Sequence, residues 1–366
     1  MFILSLLFEI RIKLRKISSA VYFAIFFLSS FIMAIVFGDA FQWMTVDFGF
    51  SNKLAINSPV MINHLVSMTG YLGMVIAAPI FGQSICRDYE SEFSQIIFTK
   101  PIKKGFYFFT RFLSSLISVL IILSSSGFGI WVATHMPFVN RSLLIQNHFS
   151  FYLTPYLTII LPNMFFWGSI FIAIASLLKK MSAVYVASIM LLLVNMISGM
   201  LLADLDNRFF SAILDPLGSV SLRENIQFWS IEEQNTRIIP LSGVFLYNRI
   251  LWTSVGSFLL LIAYYAFNPY KFLKEKKKNI TSLRCSLSTE PKIHQKTKSL
   301  RGFFLIAFSE FRQAFLNIQF LLILLCGILF LILGSSQVGK IFGTGTLPVT
   351  YQVLDVAKGS FQYPSG

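Results

Sequence analysis

Six carboxylates, Asp204, Asp206, Asp215, Glu224, Glu232 and Glu233, share one polar stretch of the chain, where such a group could coordinate a cation or supply an acid–base pair. Their spacing argues against both. It matches no EF-hand loop, and no histidine accompanies the acids at a zinc-ligand interval. Helix capping, a turn at Asp215-Pro216 and plain solvation are the economical roles. The histidines, His64, His135, His148 and His294, are scattered over separate segments, and no HExxH occurs, so a zinc hydrolase is not expected. No phosphate-cradling G-x-x-x-x-G-K-[ST] occurs either; Gly343-Thr344-Gly345-Thr346 is too short and lacks the lysine. Ser126-Gly127 lies in an apolar run outside any G-x-S-x-G frame, and no nucleophile–base pair is legible. The expectation is a chain that is not an enzyme and binds no metal or cofactor of its own. One further constellation invites a role: Arg87, Asp88, Glu90 and Glu92 precede an apolar patch, Phe93, Ile96, Ile97 and Phe98, before the turn at Lys100-Pro101 and a basic cluster. A short helix with this mixture has little to bury against in its own chain and suits a docking partner. A plain basic connector explains the lysines but neither the acids nor the patch.

The elements that must position these residues are membrane spans. Of 366 residues 55% are hydrophobic and only 13% charged, with 40 Phe and a mean hydropathy of +0.70, too few polar side chains to cover a water-soluble globule. Seven apolar segments approach the roughly 20 residues that a membrane-crossing helix needs. They fall at 17–37, 60–81, 112–133, 156–178, 181–202, 250–267 and 314–333. The first is longer than a signal-peptide core and is read as a retained span. None of the seven contains Asp or Glu, which argues against a proton relay. With the N-terminus inside, 22 of the 30 Lys and Arg fall on the cytoplasmic side, so the +14 net charge is a topology signal and a nucleic-acid partner is not expected. Lys179-Lys180 fits a tight turn on that side.

Residues 1–16 place Ile3, Leu6, Leu7, Ile10 and Leu14 on one helical arc, with Glu9, Arg11, Arg15 and Lys16 mostly elsewhere. This suits an amphipathic helix lying on the inner leaflet, or a basic anchor that only sets topology. The fold class read from these features is all-α and polytopic: the interfacial helix, a six-span bundle over 17–268 with a polar outer loop at 203–249, a basic cytoplasmic linker at 269–313, and one additional C-terminal span within 314–366.

The stretch RDYESEFSQIIFTKPIKKGFYFFTRF resembles the permease subunits of type-two ABC exporters, in which a charged and apolar segment after the second span forms the coupling helix that docks on an ATPase. Arg87, Asp88, Glu90, Thr99, Pro101, Ile102 and Lys104 carry that part of the resemblance, and Glu92, Phe93 and Ile96 join them in the expected ATPase-docking set. The outer motif LDPLG followed by FWSIEEQNTRIIPLSGVFLYNRILW is closer still to bacterial proteins in which two permease units precede an extracytoplasmic zinc aminopeptidase domain. Its residues are Asp215, Pro216, Gly218, Trp229, Glu233, Asn235, Pro240, Gly243, Asn248 and Arg249. The resemblance implies a permease component of an exporter in the bacterial inner membrane, with ATP and Mg on a separate cytoplasmic ABC ATPase. It also implies a second permease unit or a homodimer as partner, and contact with membrane lipids. In such proteins 314–366 would begin the second unit, which here is incomplete, and no hydrolytic residue is carried over. A non-transporting membrane anchor or assembly protein, or an inactive remnant of the fused protein, is the alternative.

Overall fold

The computed structural model describes residues 2–38, 54–91, 97, 102–137, 139–203, 208–267 and 328. The expected linker at 269–313, the seventh span and the remainder of 314–366 fall outside the described residues, apart from Ile328. The chain is an all-α multi-pass membrane protein, and among the described residues six helices are long and apolar enough to cross a bilayer. In chain order α1 is Phe2–Leu14, α2 Ile17–Phe37, α3 Pro59–Glu90 and α4 Lys104–Ala133. Next come α5 (Phe149–Pro155), a π-helical turn (Tyr156–Ile160), α6 (Leu161–Leu178) and α7 (Met181–Ala203). Three short helices, α8 (Arg208–Leu214), α9 (Ser219–Ile226) and α10 (Ile231–Thr236), lead to α11 (Gly243–Ala266).

The side chains are sorted as a bilayer demands. On α2 and α4 small and polar residues are buried against other helices, while several large apolar side chains of α2 face outward. On α4, Ser114, Ser115, Ser118, Ser125 and Ser126 are all buried. Their hydroxyls return to the preceding turn of the same helix, as Ser118 Oγ does to Ser114 O at 2.7 Å, so burial leaves none unpaired. On α2, Val21, Ile25, Leu28 and Ile32 are exposed, whereas Ser30 and Ala34 are buried. The α2–α4 crossing is close because Gly129 lacks a side chain: a Cβ there would lie 2.5 Å from Phe27 O and Ser30 Oγ.

α3 is the central helix, packing on α2, α4, α6 and α7. It is the longest helix among the described residues, 32 residues, and extends nine residues beyond the end of the expected span at 81. Ser58 caps it, accepting from Met61 N at 3.2 Å, with Pro59 at the first position, where the missing N–H costs nothing. It then runs through Pro79 to Glu90, so Arg87, Asp88 and Glu90 belong to the last turns of a span. The Phe81 and Phe112 rings form a tilted pair with centroids 5.7 Å apart, and Phe112 meets Phe165 edge-on at 5.6 Å, joining α3, α4 and α6 in one aromatic core.

The fourth span is interrupted. Pro155 and Pro162 each remove a backbone donor, and the π-helical turn lies between them. Tyr156 uses this turn to reach α4. Its hydroxyl accepts from Gly127 N (2.7 Å) and donates to Leu123 O (3.2 Å), the two backbone groups one helical turn apart. At the other end of the span, Lys179 takes a left-handed conformation (φ 54°) and closes the expected tight turn by donating its N–H to Ala175 O at 3.0 Å.

Candidate functional site: two polar clusters at opposite ends of the bundle

At the α1 end, Arg111 is the hub. α4 begins at Lys104, two turns before the apolar run, and this brings Arg111 level with the end of α3 and the middle of α1. Its guanidinium pairs with Asp88 of α3 through one nitrogen and with Glu9 of α1, 2.7 Å away, through another. Tyr107, one turn earlier on α4, donates to the same Asp88 oxygen at 2.9 Å, and its ring lies 5.2 Å from the guanidinium carbon. All of these groups are removed from water, with side-chain exposures of 10% for Arg111, 4% for Asp88 and 15% for Glu9. Buried charges survive only when paired in this way.

Lys13 lies one turn beyond Glu9 on the same face of α1. Its Nζ donates to Ser114 Oγ (2.6 Å), Ser115 Oγ (2.7 Å) and Arg111 O (3.4 Å). Burial pushes this ammonium down to about 7, with Glu9 opposing the shift and Arg111 and Lys16 adding to it. Lys16, at the kink between α1 and α2, donates to Gln83 Oε1 at 2.7 Å and is likewise lowered by burial. α1 is thus docked by its polar side. Ile3, Leu4, Leu7 and Phe8 face away from the protein. Leu6, Ile10 and Leu14 of the expected arc are half-buried, and Leu4 and Phe8, which lie off that arc, are among the most exposed.

The base of the segment after α3 is therefore fastened on every side. Asp88 is committed to Arg111 and Tyr107 within the chain. Glu90 Oε1 accepts from Met181 N, the start of α7, at 2.8 Å. Lys179 Nζ sits 4.2 Å above the Tyr89 ring and 5.9 Å from that of Phe267, just past α11. Lys104 donates to Tyr265 O at 3.2 Å. Arg87 is exposed. Glu92, Phe93, Ile96, Thr99 and Pro101 lie outside the described residues.

At the far end, the outer motif assembles around the start of α11, which begins at Gly243, seven residues before the expected span. Asn248 Nδ2 donates to Ala212 O (2.7 Å), Ile213 O (3.0 Å) and Asp215 O (2.8 Å), closing the carboxyl end of α8. Arg249 is buried and donates to Asn163 Oδ1 of α6 at 2.8 Å and to Asn248 Oδ1. Asn163 in turn donates to Leu217 O at 3.1 Å. Asp215 accepts from Leu217 N (3.0 Å), Ser219 Oγ (2.9 Å) and Val220 N (2.8 Å), shaping the Pro216–Gly218 turn and the start of α9. Gly218 has φ +77°, and a Cβ on it would fall 1.9 Å from Arg249 Nη2. Asn235 Oδ1 accepts from Ala55 N at 2.8 Å, tying α10 to the segment before α3. Ser230 and Glu233 form a capping box on α10, which holds the Glu233 carboxyl below its usual range. Arg237 lies 5.0 Å over the Trp229 ring, and Pro240 O accepts from Asn225 at 3.0 Å. Every one of these side chains builds the far-end cap, and among the described residues no three His, Cys, Asp or Glu side chains gather as a metal group would.

Three cavities complete the picture. One of about 30 Å³ lies between α1, the first turn of α2 and α3, lined by Lys13, Lys16, Gln83 and Arg87 among others. A second, about 220 Å³, sits between α3 and α9 beside His64, Tyr71 and Arg223. The largest, about 760 Å³, is an apolar groove beside the Tyr156 contact, lined by Phe128, Trp131 and Leu157.

The hub residues Arg111, Glu9, Lys13 and Tyr107, together with Asn163, were not singled out from sequence. A usable signal was present in Glu9 and Lys13, opposite charges one turn apart on one face of a mostly apolar helix, and in Arg111 at the mouth of an apolar run. No family model, curated protein or solved structure matches the chain.

Proposed function

We propose that this chain is the membrane-spanning permease component of an ABC-type exporter, driven by a separate cytoplasmic ATPase that docks on residues 91–103, with the N-terminus cytoplasmic in a bacterial inner membrane. One observation carries the reading. The base of that segment is joined through Asp88, Tyr89, Glu90 and Lys104 to α1, α4, the α6–α7 turn and the end of α11. A push on the segment is passed at once to the same end of five spans, α3, α4, α6, α7 and α11, which is what rocking one part of a bundle against another requires. Of the charges buried in the described spans, Asp88 and Arg111 pair with each other and Arg249 is held by Asn163 and Asn248 in the far-end cap, so each is committed to a structural contact, which favours an external energy source.

Co-purification tests it. Deleting residues 92–99 should abolish retention of the ATPase subunit by a correctly inserted chain, while Arg111→Met should keep retention and reduce transport. Retention of the ATPase by the deletion variant would overturn the docking assignment and favour a membrane anchor. Cysteines in place of Arg15 and Gln227 should label from opposite faces, Gln227 from outside; the reverse would overturn the orientation.

A further inference from the structure

We propose that the cavity between α1, the first turn of α2 and α3 is a binding site for the phosphodiester of an anionic phospholipid. The argument starts from charge. Lys13, Lys16, Arg87 and Arg111 line the cavity, and the two carboxylates at hand, Glu9 and Asp88, both engage Arg111. Lys13 spends its donors on two serine hydroxyls and a carbonyl, and Lys16 spends one donor on a neutral amide. Two ammonium groups, one of them buried, thus sit side by side with only uncharged acceptors among the described residues. Burying a cation without a counter-charge is strongly unfavourable, and an anion in the adjoining cavity relieves it. The low proton affinity of Lys13 is the same imbalance seen from the other side.

Geometry selects the anion. About 30 Å³ accepts roughly two oxygen-sized spheres, which suits the two charged oxygens of a phosphodiester, with Lys16 free to donate two further N–H groups. The first turn of α2, which no side chain caps, borders the cavity through Ser18 and Ser19 and adds its positive dipole end. The surroundings select the source. Ile17 (83% exposed), Ile3, Leu4, Leu7 and Phe8 form an outward apolar surface on the adjoining helices, where acyl chains would lie. A free phosphate has no use for that surface. This site rests on the membrane reading alone, not on the ATPase.

The test uses the full chain in nanodiscs with equal phosphatidylglycerol and phosphatidylcholine, released into neutral detergent and weighed by native mass spectrometry. Because both leaflets have the same composition, the result is independent of orientation. The wild type should retain one phosphatidylglycerol in preference to phosphatidylcholine. Lys16→Gln, at the cavity rim, should reduce that retained fraction about tenfold, as loss of a charge-assisted bond implies, and Lys13→Met should reduce it too by removing the buried charge that the anion offsets. Arg15→Gln, exposed on the same turn but not lining the cavity, should leave it unchanged. Equal loss in Arg15→Gln would reduce the effect to general surface charge and overturn the site, as would unchanged retention in Lys16→Gln. Displacement of the lipid by millimolar inorganic phosphate would assign the cavity to the free ion and overturn the lipid source.

Discussion

Replacing Arg111 by methionine is the sharpest probe of the α1-end hub. The substitution keeps most of the buried aliphatic volume and removes the charge between two carboxylates. Asp88, at 4% exposure, is left without its counter-ion, accepting only from Tyr107. Glu9, at 15%, is nearer water and regains part of its hydration. Breaking a buried pair from one side costs about 3–5 kcal/mol, and nearly all of it here falls on Asp88. Asp88→Asn removes the opposite charge but keeps an acceptor for Tyr107 and leaves Arg111 paired with Glu9, so its cost should be about 1–3 kcal/mol. In the double variant neither an unpaired Asp88 nor a half-paired Arg111 remains, and its cost should fall short of the summed singles by about 1–3 kcal/mol. Unfolding of the purified chain from neutral-detergent micelles by increasing fractions of dodecyl sulfate, followed by tryptophan fluorescence, reads all three. Additivity within about 0.5 kcal/mol would show that Arg111 and Asp88 are not energetically coupled and would refute the hub.

Other expectations follow from the same geometry. Gly218→Ala forces a left-handed backbone on a residue with a Cβ and drives that Cβ into Arg249, so the same unfolding assay should show a loss of about 1–3 kcal/mol; an unchanged midpoint would remove the close approach from the argument. Arg249→Lys keeps the charge but not the fork that spans Asn163 and Asn248, and should cost about 1–3 kcal/mol, with a negligible effect counting against the far-end network. Lys13, held at about 7 against an ordinary 10.5, binds fewer protons folded than unfolded between those values. Stability in neutral lipid should therefore rise as pH goes from about 7 toward about 10, with Lys16 contributing in the same sense. The slope should flatten in Lys13→Met and in phosphatidylglycerol; a slope indifferent to both would assign it to other groups.

The span cores were legible because a bilayer asks for little more than length and apolarity, and 17–37 and 181–202 match α2 and α7 almost to the residue. The ends were not, and for one reason. Arg111, Asn248 and Arg249 look like loop residues in isolation, yet each sits inside a helix because a partner far along the chain satisfies it. The outer motif was visible as a set of residues, and Asp215 was read as a turn former, which its three local hydrogen bonds bear out. Its tie to Asn163 was not legible, since nothing in one sequence marks which asparagine in an apolar run will face an arginine. For α1, periodicity located the helix but not its exact faces: Leu6, Ile10 and Leu14 of the expected arc are half-buried and Leu4 and Phe8 off it are exposed, because Glu9 and Lys13 are the groups that dock on α4.

The docking of α1 by its polar side bears on how the chain is made. α1 leaves the ribosome ahead of α4, because the groups that hold it, Arg111, Ser114 and Ser115, come about a hundred residues later. At ordinary synthesis rates this is a delay on the order of 5–20 s. During it the helix has only its apolar side to use, so it must wait on the membrane surface while two spans insert. Only when α4 arrives do Glu9 and Lys13 leave water. A cysteine at position 13 in arrested nascent chains should then stay reactive up to the insertion of α4 and lose reactivity beyond it. A helix translated before α2, α3 and α4 would reach its place after them, a late check that α4 has entered in the right sense.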